Sequence, residues 1–167
     1  MTDPKRLVVL KELTVLLEGI TPANGYQHDM TGRVYRGRSS FSSETPVPCI
    51  NILEPLNPDR NPNVTDQGLL QSEQWVLLVQ GWADDDEDNP TDPAHLLMAD
   101  VKKRPAEMAK DTYPTTNPLY MLGGKIAGLY IEPGTVRPAD ENSARAFFYL
   151  RLVLTITEQL DDPYSLD

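Results

Sequence analysis

Cysteine is almost missing from this chain. Cys49 is the single one among 167 residues, so no internal disulfide can form and the core must hold by burial alone, which fits a reducing compartment. Histidine is nearly as scarce. His28 and His95 have no Cys or His at ligand spacing, which argues against a zinc site, and both read as surface or boundary residues. A glycine-rich phosphate loop is also lacking: Gly123-Gly124-Lys125 is not followed by Ser or Thr and lacks the spacing that wraps a phosphate, so it reads as a turn. There is no internal repeat. The start of the chain runs from Asp3-Pro4 straight into Lys5 and Arg6, with apolar residues interleaved among charges, so neither a secretion signal nor a membrane span is expected.

Positive charge is in short supply as well. Fifteen Lys and Arg face 25 Asp and Glu, a net charge of −10, and a field of that sign repels phosphate backbones unless the basic residues gather on one face. Two small groups exist, Arg33/Arg36/Arg38 and Lys102/Lys103/Arg104. Solvated charge and ion pairs to neighbours account for both more simply than a nucleic-acid site.

What is present is a readable succession of elements in a chain long enough for one domain, residues 1–167. Residues 3–20 form an amphipathic helix, with Asp3 placed to cap it, Pro4 in its first turn and Val9, Leu13, Leu16, Leu17 and Ile20 on one stripe. Gly19 and Pro22 end it. Residues 30–38 read as a strand interrupted by glycines, and residues 47–53 as its antiparallel partner across a Ser-rich turn. Residues 54–71 hold Pro55, Pro58 and Pro62 without periodicity and read as a long loop. Residues 75–82 are a nearly unbroken apolar run, the pattern of a strand covered on both faces. A second helix opens at Asp92-Pro93 with Ala94, Leu97, Val101 and Met108 along one side; Pro105 is expected to kink or divide it. Residues 113–125 look irregular, residues 126–132 form a short strand, residues 133–142 a turn, and residues 144–158 the longest strand, where Phe148, Leu150, Leu152, Leu154 and Ile156 alternate with partly polar neighbours. A short polar tail follows at residues 159–167. The fold class is α+β: a single mixed or antiparallel β-sheet with two main helices packed on one face.

Candidate chemistry is thin. Cys49, between Pro48 and Ile50 in an apolar strand, reads as a buried inert thiol because no basic residue or helix start is placed to lower its pKa. The acidic run Asp84, Asp85, Asp86, Glu87 and Asp88 could hold Mg²⁺ or Ca²⁺, yet it lacks the alternating ligands and central glycine of a calcium loop. A solvated electrostatic surface is the simpler reading. Neither catalytic residues nor a cofactor or metal site is expected.

Two linked stretches, GRVYRGRSSFSSETPVPCINILE at residues 32–54 and WVLLVQGWADDDEDNPTDPAHLLMADVKK at residues 75–103, taken with the first helix and the closing strand, resemble the tail terminator (tail completion) proteins of long-tailed bacteriophages. The shared order is a helix, a basic strand with RGR, a proline-rich strand ending in Glu, a strand running into an acidic turn, and an Asp-Pro helix with a DVKK segment. This resemblance implies a non-enzymatic virion protein whose subunits form a homo-hexameric ring on the head-proximal end of the tail tube, assembled in the host cytoplasm. Its implied partners are itself, the tail tube protein, a neck or head-completion protein and, in a contractile tail, the sheath protein; genomic DNA passes without specific binding, and no membrane is involved. In that setting Arg33, Arg36 and Arg38 are expected at a subunit boundary, with intrasubunit ion pairs as the alternative, and Arg36 and Arg38 are expected on one face of a strand. Residues 84–88 are expected to face the lumen or a basic neighbour. Two other functions compete: another head–tail adaptor, such as a neck or head-closure subunit, and a metal-dependent phosphoryl-transfer enzyme built on Asp84–Asp88.

Overall fold

A computed structural model describes residues 2–55, 65–110, 117–141 and 143–167, with side-chain burial not assigned for residues 65–67. Two helices, α1 (Lys5–Glu18) and α2 (Asp92–Met108), lie on one face of a seven-stranded sheet. The strands are β1 (Val34–Arg36), β2 (Cys49–Leu53), β3 (Thr65–Gln67), β4 (Leu70–Trp82), β5 (Gly128–Ile131), β6 (Thr135–Arg137) and β7 (Phe147–Gln159). Their order is β1-β2-β4-β7-β5, with β3 beside β4 and β6 beside β7. The sheet is mixed, as expected for an α+β fold.

The antiparallel pair β4 and β7, thirteen residues each, forms the centre, from Leu70 opposite Gln159 to Trp82 opposite Phe147. Alternation places Trp75, Leu77 and Val79 with Leu154, Leu152 and Leu150 on the helix side, where all are buried. Val9, Leu13, Leu16, Leu17 and Ile20 of α1 and its C-terminal extension, with Ala94, Leu97, Val101 and Met108 of α2, close this single core. At the far end of the ladder Arg6 spans two carboxylates, pairing with Glu73 and with Glu158 at 2.8 Å, and its guanidinium sits 5.0 Å from the centre of the Trp75 ring.

Several expectations need correction. Asp3 does not cap α1; it pairs with Lys11, and Pro4 stands at the cap position. The 30–38 strand is only three residues long, and β1 runs parallel to β2, not antiparallel. Residues 37–48 are therefore no hairpin turn but a twelve-residue crossover, about the length that a parallel connection requires. The loop expected at residues 54–71 contains β3 and the first residues of β4, joined as a hairpin at Gly68-Leu69; its residues 56–64 lie outside the described residues. Pro105 neither breaks nor divides α2, because it falls in the last turn and both it and Met108 are buried against the core. The expected 133–142 turn carries β6. β5 and β6 are one line along β7 interrupted by a bulge: three residues, Glu132 to Gly134, stand opposite two, Leu150 and Arg151. In the 113–125 stretch, residues 113–116 lie outside the described residues. Beyond them Met121 and Leu122 adopt left-handed φ values of 47° and 53°, a costly conformation that burial of Leu122 helps to hold.

Gly81 is the tightest point of the ladder. It faces Phe148 across the β4–β7 pair, and a β-carbon at position 81 would overlap the Phe148 ring. Gly81→Ala is expected to cost about 1–3 kcal/mol through overpacking, lowering the melting temperature by roughly 2–10 °C for a chain of this size. Thermal unfolding followed by circular dichroism measures it, and an unchanged melting temperature would show that Phe148 has room to move.

Candidate functional site

The apolar run at residues 75–82 was expected to be covered on both faces. Instead the helices cover one face only. On the opposite face Val76, Leu78, Trp82, Phe147 and Val153 are half-buried, Tyr149 is 40% exposed and Tyr130 is 61% exposed. One end of this face is roofed by the 37–48 crossover. Asn51, fully buried there, donates through Nδ2 to the Arg38 carbonyl at 2.7 Å and accepts from the Arg38 amide at 3.4 Å, so a side-chain amide satisfies the backbone of the crossover at Arg38. Phe41 then lies 4.6 Å from Trp82 and 5.6 Å from Tyr35, ring centre to ring centre. Beneath the crossover is a groove of about 640 Å³ whose lining includes Arg38, Phe41, Trp82 and Arg145.

The three arginines have separate positions. Arg33 donates to the Val47 carbonyl at 3.1 Å and fixes the return of the crossover. Arg36 and Arg38 do not share a face. Gly37, at φ 66°, turns the chain between them, so Arg38 stacks 3.9 Å over the Tyr35 ring on the open side while Arg36 pairs in register with Ile52, whose side chain faces the helices. Arg36 is exposed beside a second groove, about 770 Å³, between β1 and the Leu7, Leu10 and Thr14 side of α1. The other basic group is used internally: Lys102 reaches the Pro133 carbonyl, Lys103 the Gly25 carbonyl at 3.0 Å, and Arg104 the Leu16 carbonyl at 2.9 Å.

The acidic run follows β4 directly. Asp84, Asp85, Glu87 and Asp88 are exposed, whereas Asp86 is half-buried and its Oδ1 accepts from the amides of Asp88 at 2.9 Å and Asn89 at 2.7 Å. Asp85 lies 3.8 Å from Arg145, at the rim of the groove beneath the crossover. One carboxylate thus shapes the turn and the others face outward. Among the described residues no group of three or more His, Cys, Asp or Glu converges as a metal site, and no helix is long and apolar enough to cross a membrane.

Cys49 is buried, and desolvation pushes its thiol up to about 11 despite the nearby Arg33, Arg38 and Arg145. It is a poor nucleophile there. His28 is half-buried, at the boundary, and its ring is held by a carboxylate. Asp100, buried on α2, accepts from the amides of Gln27 at 3.0 Å and His28 at 3.1 Å and faces His28 Nδ1 at 2.7 Å. Tyr26 donates to Glu107 nearby, and burial, then that carboxylate, raises its hydroxyl to about 12. Sequence reasoning missed Asp100, although its position three residues after Leu97 puts it beside the apolar stripe and was the available signal. Its role is a latch that fastens residues 26–28 to α2.

Neither a family model nor a curated protein matches the chain.

Asp100→Ala leaves two backbone donors without their acceptor and is expected to cost about 2–3 kcal/mol, read as a lower urea midpoint. An unchanged midpoint would mean that water replaces the carboxylate freely. For the acidic run, the triple change Asp84→Asn, Asp85→Asn and Asp86→Asn preserves the Asp86 acceptor oxygen and removes only charge. Its melting temperature should stay within about 3 °C of the parent. Unfolding together with release of a bound divalent ion would identify the run as a structural metal site instead.

Proposed function

We propose that the protein is a structural virion subunit that assembles into a ring, six copies in the resembled family, and closes the head-proximal end of a phage tail tube. The observation that carries this reading is the one-sided sheet. A central ladder wrapped by helices on one face leaves apolar and aromatic side chains on the other, together with two strand edges that are open among the described residues, and surfaces of that kind are completed by neighbours. The order of motifs along the chain supports the same reading. The net charge of −10 suits a channel for DNA, because an acidic lumen repels phosphates and does not hold the passing duplex.

In this proposal residues 84–88 supply part of that field, and the tail tube protein and a neck protein bind the two rims of the ring. A neck or head-closure adaptor would use the same surfaces, and the object that the ring binds separates the two: tail tubes for a terminator, DNA-filled heads for an adaptor. Phosphoryl transfer at residues 84–88 draws no support from a turn whose half-buried carboxylate is committed to backbone amides. Mass measurement of the purified protein across a concentration series should resolve a closed species of six subunits. A species that stops at two at every concentration would overturn the ring.

A further inference from the structure

We infer that the ring is closed by strand addition, with β1 of one subunit pairing antiparallel to β5 of the next, so that the sheet runs continuously from copy to copy. The inference rests on the ring reading above and names its interface. β1 and β5 are the two ends of the strand order. At β1, the Arg33 carbonyl and the Gly37 amide face β2, and the pleat therefore turns the backbone groups of Val34 and Arg36 outward, away from the sheet. At β5, the Glu132 amide bonds to the Arg151 carbonyl, so Leu129 and Ile131 present their backbone groups outward in the same manner. Among the described residues both edges are short rows of backbone donors and acceptors that no neighbouring strand takes up.

Side chains match across such a joint. α1 overhangs β1 and leaves the groove of about 770 Å³ walled by Leu7, Leu10, Val34 and Leu53. Leu129 and Ile131 lie in register with Leu154 and Leu152 on the helix side of β5, so a neighbouring β5 would slide them under α1 next to Val34. Tyr130, on the open side and 61% exposed, would arrive beside Tyr35 and the Arg38 guanidinium stacked on it. Charge is complementary too. Arg36 and Arg38 form no ion pair among the described residues, while the β5–β6 edge and the turn after it carry Glu132, which lies 3.6 Å from Arg151 of its own subunit, and Asp140 and Glu141, against Arg137.

Direction agrees as well. Through the pairings β5–β7, β7–β4, β4–β2 and β2–β1, β5 runs opposite to β1 within one subunit. Rotation about an axis along the strands preserves that relation and keeps every helix layer on the same side of the ring wall. The contact is heterologous, which is what a closed ring requires.

Two variants each block one edge. Arg36→Pro removes an outward amide at an exposed position without touching a bond to β2, and Tyr130→Lys places a cation opposite Arg38 on the open side without disturbing the core. Each alone should lose all species above the monomer in native mass spectrometry. Mixed in equal amounts they should form a discrete one-to-one dimer and nothing larger, because each retains the edge that the other lacks. Adding Arg38→Glu to Tyr130→Lys should restore the ring. Circular dichroism confirms folding of each variant, and Tyr130→Lys carries the test if Arg36→Pro misfolds. Rings that persist in Tyr130→Lys at parental stoichiometry would overturn the edge contact while leaving the ring reading intact. A parent chain that never exceeds a dimer would overturn both.

Discussion

The pairing of β4 with β7 is the constraint on which the rest depends. Every other strand is hydrogen-bonded to one of these two or, for β1, to a strand that is. The ladder is long enough to carry two different jobs on its two faces. On one side its alternate residues from Trp75 to Gly81 and from Phe148 to Ile156 are sealed from water beneath the helices; on the other they stay half-buried or exposed. Gly81 is the position where this pairing admits no side chain, because the Phe148 ring occupies the space. Arg6 completes the ladder at its other end by bridging Glu73 and Glu158, which eases the repulsion between the two carboxylates on the same face.

Polar groups fasten the periphery to this centre. Asp100 collects two amides and a histidine from residues 27 and 28, Asn51 carries the crossover at Arg38, and Lys102 and Arg104 reach carbonyls of other segments. These contacts are specific where the hydrophobic core is not, since a buried acceptor tolerates few alternatives. They hold the crossover and the 26–28 segment against firm elements.

Periodicity made much of this legible in the sequence. The stripes of α1 and α2 and the alternation of β7 are repeated signals, and each buried position read from them is buried. Direction was not legible. Alternation in residues 30–38 and 47–53 tells which face is apolar, but a parallel and an antiparallel pair satisfy it equally, and the intervening serines resembled a turn. Nor could periodicity count the layers over residues 75–82: the apolar run looked doubly covered, whereas half of it faces away from the helices. Pro105 misled because the rule for prolines inside helices takes no account of burial in a last turn. The arginines show the same limit at the candidate site. Their clustering was visible, but Gly37 separates Arg36 from Arg38, and only the folded chain reveals that Arg38 stacks on Tyr35 while Arg36 stands beside a groove.

The central claim is that this subunit completes a tail tube, and the most direct measurement is cryo-electron microscopy of tail tubes incubated with the protein. The account predicts one added disc of sixfold symmetry at a single end of each tube, with no further tube growth from that end. Tubes that remain bare, or that bind the protein along their length, would contradict it.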